Sequence, residues 1–360
     1  MSLRDVRRHV GRLAIVGFSG TSVPDDLRRL VKEFDLAGII YFARNVESPE
    51  QIRELSRELT SLAIDWPLWV SVDQEGGRVA RLKRPFTEWP PMATLGRSGD
   101  EQLVDQFGRA LASELRAVGI TLDFAPDLDV LTNPKNTAIG DRALSSDAVA
   151  AARLARPIIR AFQSTGIAAC GKHFPGHGDT VADSHDELPI VEQDRRRLAS
   201  REYLPFRAAI EERIAMIMTA HVLIPAIDER RPATLSPTVV TDMLKGELRF
   251  DGVVVTDDLG MKAVSATRPL GEVMIDAVDA GCDVALLCNS TADEQAMALE
   301  TVVKAVESAQ LKFTRIDDAF RRQHDVKARF AASQRTAVPP LDVVGCEAHQ
   351  VIARQMASWL

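Results

Sequence analysis

The sequence predicts a single-domain (β/α)8 barrel of the TIM type, and three observations carry that expectation. Short apolar runs alternate with longer amphipathic stretches along the 360 residues, the pattern of strands each followed by a helix. The apolar runs are rich in Val, Ile, Ala and Leu without polar alternation, as strands buried on both faces are. Polar and charged residues recur at the ends of those runs, where the loops of such a barrel build a site.

Taken in order, strands are expected at residues 13–18, 38–42, 68–73, 121–125, 168–173, 215–222, 252–257 and 282–287. Helical patterns fall between them at 25–33, 49–62, 102–118, 148–164, 193–213, 238–248 and 291–308. An open doubly wound sheet is the alternative, weakened because no Gly-x-Gly-x-x-Gly follows the first strand; Gly17-Phe18-Ser19-Gly20 is the nearest approach. Beyond Thr336, Pro339-Pro340 and then residues 342–360 read as a linker and one closing helix. The expected division is a barrel over 1–336 and a C-terminal helical tail over 337–360, packed on the barrel.

Composition narrows the partners. A hydrophobic content of 46% is enough for one large core. The net charge of −7, with no Lys/Arg block, argues against nucleic acid. Cys170, Cys282, Cys288 and Cys346 are too scattered for a disulfide framework and form no Cys-x-x-Cys, which suits reduced thiols in a cytoplasmic protein. No stretch reaches the roughly 18 apolar residues of a membrane span, and no apolar segment follows the basic N-terminus. A monomer with no cofactor and no membrane partner is expected.

The strand ends carry the chemistry. Asp73-Gln74-Glu75-Gly76-Gly77-Arg78 follows the third strand, Asp127 and Asp129 the fourth, and Lys172-His173 ends the fifth; His221 lies in the sixth, and Thr256-Asp257-Asp258 ends the seventh. The densest stretch runs from Lys172 to His185 and places His173, His177, Asp179, Asp183 and His185 on a Gly- and Pro-containing loop. Three chemistries could use it. His177, Asp179, Asp183 and His185 offer metal-ligand atoms, but without a rigid His-Glu-x-x-His spacing they would fix an ion poorly, so no metal is expected. Sugar chemistry needs a nucleophile and an acid/base on opposite sides of a glycosidic bond. Asp257, held at a strand end, suits the first; Asp183 orienting His185 suits the second. The third possibility is a binding module without catalysis.

These residues together resemble glycoside hydrolase family 3, in its bacterial β-N-acetylhexosaminidase branch that works in peptidoglycan recycling. Lys172-His173-Phe174-Pro175-Gly176-His177-Gly178-Asp179-Thr180 with Asp183-Ser184-His185 is similar to the family's signature loop. Val72 to Val79 with Arg81, Asn133-Pro134 with Gly140-Asp141-Arg142, and Thr256 to Met261 match its other motifs in order. The pattern departs at Gly260, where the family usually has Ser, and at Leu144, where a bulky aromatic is usual. The resemblance implies a retaining hydrolase of terminal β-linked N-acetylglucosamine, acting on a small carbohydrate or a muropeptide. It implies Asp257 as nucleophile, His185 as acid/base, Asp183 as its partner, and Asp73, Arg81, Arg142, Lys172 and His173 as the groups that hold the sugar. It leaves His177 and Asp179 as braces of the loop. A β-glucosidase or β-xylosidase of the same family is the alternative, and an inactive sugar-binding barrel a minor one.

Overall fold

Strands that read as apolar throughout do so because each of their faces meets a different apolar layer. The computed structural model describes residues 3–63, 66–180, 188–266, 268–334 and 337–360. Its strands are β1 (Ala14–Gly17), β2 (Gly38–Tyr41), β3 (Trp69–Val72), β4 (Gln74–Gly76), β5 (Val79–Ala80), β6 (Leu122–Asp123), β7 (Ala168–Phe174), β8 (Met216–Thr219), β9 (Val253–Asp258) and β10 (Val284–Leu287). Eight of them close a parallel barrel in the order β1-β10-β9-β8-β7-β6-β3-β2, while β4 and β5 pair as a separate hairpin. The expected (β/α)8 fold is what forms.

Successive strand residues divide between two cores. Ile15, Ile40, Trp69, Cys170, Met216, Met218, Val255 and Leu286 point inward and pack together. Val16, Ile39, Val70, Ile217, Val254 and Leu287 point outward against the helices. Side-chain direction alternates every residue along a strand, so both parities must be apolar. Each fully buried Leu, Ile or Phe contributes about 1.5–3 kcal/mol relative to exposure.

The helices are α1 (Leu3–Gly11), α2 (Asp25–Phe34), α3 (Pro49–Ser61), α4 (Met92–Ser98), α5 (Glu101–Ala117), α6 (Ala148–Thr165) and α7 (Arg195–Ser200). They continue as α8 (Tyr203–Glu211), α9 (Lys262–Ser265), α10 (Leu270–Ala280), α11 (Ala292–Glu307), α12 (Phe313–Gln334) and α13 (Glu347–Ala357). Thr238–Glu247 winds as a π-helix. Side-chain caps start several of them: Ser48 for α3, Asp100 for α5, Asp147 for α6 and Thr291 for α11. The single helix expected over 193–213 is two, α7 and α8. Pro205 lies within the first turn of α8; it has no N–H to continue a helix through Arg201, so a new one begins. The fourth strand is shorter than expected: β6 ends at Asp123, and beyond it the pairing continues only as separate bonds, from Phe124 N to Val72 O and from Cys170 N to Ala125 O, and as an isolated bridge between Asp127 and Lys172. Below the barrel, Val326 and Phe330 of α12 complete the inner core.

The tail helix α13 lies on α4 and α5. The buried Glu114 of α5 ties it down: its carboxylate accepts from Gly345 N at 3.0 Å and from His349 Nδ1 at 2.7 Å. The same carboxylate accepts from Thr87 N at 3.0 Å and Thr87 Oγ1 at 2.5 Å. One buried acid thus joins the tail to the segment that follows the β4–β5 hairpin. Glu114→Ala leaves several buried donors without an acceptor, and a loss of about 3 kcal/mol in unfolding free energy is expected. Urea unfolding measures it; wild-type stability in the variant would show that the four bonds contribute nothing.

Candidate active site

The C-terminal ends of the strands enclose a cavity of about 180 Å³ whose walls include Asp73, Arg81, Arg142, Lys172, His173 and Asp257. All six come from the set expected from sequence, and they arrive on five segments, Lys172 and His173 sharing β7. Asp183 and His185 lie outside the described residues. Arg78, His177 and Met218 also reach the cavity.

A buried charge network fixes one wall of the cavity. Lys172, at the end of β7, places Nζ 2.8 Å from Asp73 Oδ1 and 2.6 Å from Glu75 Oε1. Glu75, on β4, accepts in turn from Arg142 Nε at 2.9 Å and Nη2 at 2.8 Å, a bidentate pair. Burial opposes every one of these charges, but the partners prevail. Arg142 and Lys172 hold the Glu75 carboxyl far below its usual range, and Asp73 and Glu75 raise the Lys172 ammonium above its own. Arg81 Nη2 stands 3.6 Å from the other Asp73 oxygen. The backbone N–H groups of Arg81 and Leu82 donate to Gln74 Oε1 at 2.8 and 3.0 Å, which sets the return of the hairpin.

Glu75 was not among the expected site residues, and neither was the hairpin. A local signal existed for the hairpin. Gly77, which with Arg78 links the paired Gly76 and Val79, has a φ of +57°, and Gly76 has one of +103° at the register shift of β4, conformations that favour glycine.

His173 is oriented from below. Its Nδ1 lies 2.7 Å from Asp129 Oδ2, leaving Nε2 toward Arg142 Nη2 at 3.5 Å. Burial lowers the imidazole's proton affinity, but the Asp129 charge prevails and raises it. Asp129 also accepts from His177 N at 2.6 Å, closing the loop after β7 onto the segment after β6. Gly178 is needed there, because a Cβ would meet Val130 O at 1.9 Å. Thr132 Oγ1 donates to Asp179 Oδ1 at 2.5 Å and Gln193 Nε2 to Asp179 Oδ2 at 2.8 Å. Asp179 thus makes bracing contacts; His177 does too, while also reaching the cavity wall.

Among the described residues, Asp127, Asp129 and His173 bring three metal-ligand atoms within 4.8 Å of one another. Internal partners already use them: Arg142 Nη2 is 3.4 Å from Asp127 Oδ2, and His173 holds Asp129. The two carboxylates support Arg142 and His173 where these reach the cavity.

At the end of β9, two adjacent aspartates have separate fates. Asp258 accepts from Cys288 N at 3.0 Å, Gly260 N at 3.1 Å and Asn289 Nδ2 at 3.1 Å, so its carboxylate clamps loops. Asp257 faces the cavity and accepts from Asp258 N at 2.8 Å. Burial would raise its pKa, but His221, His173 and that N–H together keep it below the usual carboxylate value. It is therefore ionised at neutral pH, as an attacking carboxylate must be. His221 Nε2 is 3.0 Å from Asp258 O and Nδ1 is 2.8 Å from Thr234 Oγ1, which pins the backbone just beyond Asp257.

Asp127 titrates in an accessible range, pushed up to about 7 by burial and the Asp129 charge against the pull of Arg142. Its folded pKa exceeds the ordinary value of about 3.9. The stability it contributes is thus complete below about pH 4 and lost as pH rises through about 7. Asp127→Asn removes this titration while leaving an oxygen for Asp129 N, which Asp127 Oδ1 now accepts at 2.9 Å. The unfolding free energy of wild type minus that of the variant should fall between pH 4 and pH 8; a flat difference in urea titrations would contradict the assignment.

Comparison with known proteins identifies the family. Residues 5–326 match the glycosyl hydrolase family 3 N-terminal domain. A beta-hexosaminidase of Thiobacillus denitrificans is 39% identical over 301 residues, covering 81% of this chain and 83% of that protein. The structure of a family 3 β-N-acetylglucosaminidase from Paenibacillus is similar with a TM-score of 0.93 at 41% identity, covering 100% of this chain and 69% of that one. NagZ from Neisseria gonorrhoeae, solved with N-trifluoroacetyl-D-glucosamine, is similar with a TM-score of 0.79 at 29% identity, covering 96% and 97%. With its barrel, its strand-end carboxylates and a match spanning most of its length, the chain belongs to glycosyl hydrolase family 3.

Proposed function

We propose that this β-N-acetylhexosaminidase releases terminal, non-reducing β-linked N-acetylglucosamine from peptidoglycan-derived muropeptides, with retention at the anomeric carbon. The observation that carries the reading is the cavity itself: an ionised Asp257 faces Asp73, Arg81, Arg142, Lys172 and His173 across a space of about 180 Å³, the size of one sugar ring rather than of a chain. Asp73 accepts from sugar hydroxyls, and the cations donate to them through hydrogen bonds stronger than neutral ones.

In the first step an Asp257 oxygen bonds to the anomeric carbon as the glycosidic C–O bond breaks, and His185, oriented by Asp183, gives its proton to the departing oxygen. In the second, His185 takes a proton from water, whose oxygen attacks the same carbon and expels Asp257. Two inversions give net retention. The roles of Asp183 and His185 rest on the family motif they match. No described helix is long and apolar enough to cross a membrane, and the four cysteines are free; both fit an enzyme acting on recycled wall fragments in the cytoplasm.

Asp257→Ala and His185→Ala, assayed on nitrophenyl N-acetyl-β-glucosaminide, should each lower kcat by about 10²–10⁴ or more. Unchanged turnover in both variants would refute the assignment. Parallel assays with the β-glucoside and β-xyloside separate the family alternatives, and release of N-acetylglucosamine from purified anhydromuropeptides tests the natural substrate.

A further inference from the structure

The opposite, N-terminal face of the barrel carries a larger cavity, about 460 Å³, lined by Arg12, Trp66, Trp69, Phe320, His324 and Lys327 among others. In barrels of this kind that face ordinarily serves stability. Here it holds a buried cation between aromatic rings. Lys327 of α12 is only 7% exposed. Its Nζ lies 4.5 Å from the Trp66 ring centre and 5.3 Å from that of Trp69, and it donates to Ala37 O at 3.2 Å and to Pro67 O.

An ammonium has three N–H groups, and these two carbonyls engage two of them. No carboxylate among the described residues lies within ion-pair distance of Lys327. Asp35 is the acid that acts on it through space, and Asp35 is itself taken by Arg12, at 2.6 and 2.9 Å. Burial accordingly drives the Lys327 ammonium well below the usual lysine range. The walls are flat and apolar: the Trp66 and Phe320 rings lie 4.7 Å apart between centres, and the Arg12 guanidinium stands 5.2 Å and 5.1 Å from those same two rings.

We propose that this cavity binds a small planar aromatic anion, a carboxylate or sulfonate of one or two rings, whose charge pairs with Lys327 and whose ring packs on Trp66 and Phe320. The volume lies in the range of small-ligand pockets, and a few polar groups among apolar walls are the usual make-up of one. An anion supplies what the site lacks. A buried charge is costly until it is paired, and the aromatic walls attract a ring more than they attract water. The plainer role of Lys327, clipping two carbonyls at the strand starts, needs no ligand and gives no preference for an acid over a neutral ring.

That difference is the test. The full chain is titrated calorimetrically with 2-naphthoate and with its uncharged counterpart 2-naphthalenemethanol. Naphthoate should saturate one site and bind at least tenfold more tightly than the alcohol. Lys327→Met keeps an unbranched stem over the indoles and removes the charge, and should bring the acid down to the alcohol's affinity. Ala331→Phe, one helical turn from Lys327 on the cavity wall, should abolish binding of both with the ammonium in place. Glycosidase turnover should be unchanged in both variants, because the cavity lies on the face away from Asp257. No binding of naphthoate at millimolar concentration, equal affinity for acid and alcohol, or full binding in Lys327→Met would each overturn the proposal. If Lys327→Met does not fold, naphthoate binding retained in Ala331→Phe overturns it and binding lost there supports it.

Discussion

The ammonium of Lys172, enclosed between the carboxylates of Asp73 and Glu75, is the constraint on which the C-terminal face of the barrel depends. Each member of the network comes from a different segment: the end of β3, the hairpin strand β4, the end of β7 and the short turn bearing Arg142. Apolar packing places β7 in the barrel, but it does not place the hairpin or the turn bearing Arg142, whose backbone carries polar groups that a core cannot accept. Opposite charges supply the registration instead. Removing any one charge leaves another buried and uncompensated, which is more costly than losing a contact. The donors and acceptors that face the cavity are therefore held in fixed positions by one another.

The same economy of placement separates Asp257 from Asp258. Adjacent residues on a strand point to opposite sides, so one carboxylate reaches the cavity while its neighbour reaches the start of the loop after β10. Three N–H donors occupy Asp258. Asp257 keeps its charge through nearby imidazoles and cations rather than through a full set of hydrogen bonds, and among the described residues its second oxygen has no hydrogen-bond donor. The backbone beyond it is held by His221, so the Asp257 carboxylate sits on a strand end rather than on a loop.

Much of this was legible in the sequence because the relevant signals are local. A strand between two apolar layers announces itself as an uninterrupted apolar run, and a strand-end residue such as Asp73, Lys172 or Asp257 is read from the residues just before it. Glu75 was not legible as a site residue, because its meaning depends on Lys172 and Arg142, which are distant in the chain; alone it reads as a solvated acid. Glu114 is hidden for the same reason: on a helix it looks like surface, and only the tail and Thr87 make it a buried junction. The division of residues 193–213 into two helices had a local cause in Pro205, a proline that can start a helix but not continue one.

Two lysines at the two ends of the barrel show what decides the outcome of burying a charge. Lys172 and Lys327 are both almost fully removed from water, and desolvation alone would lower both. Lys172 is raised, because Asp73 and Glu75 stand against it; Lys327 is lowered, because it faces carbonyls and indole rings and the nearby Asp35 is engaged elsewhere. Carbonyl dipoles and ring quadrupoles stabilise an ammonium less than a carboxylate charge does. The upper face is thus electrostatically complete without a ligand, its cations neutralised and aimed. Among the described residues the lower face offers Lys327 no carboxylate within ion-pair distance, so burial prevails there.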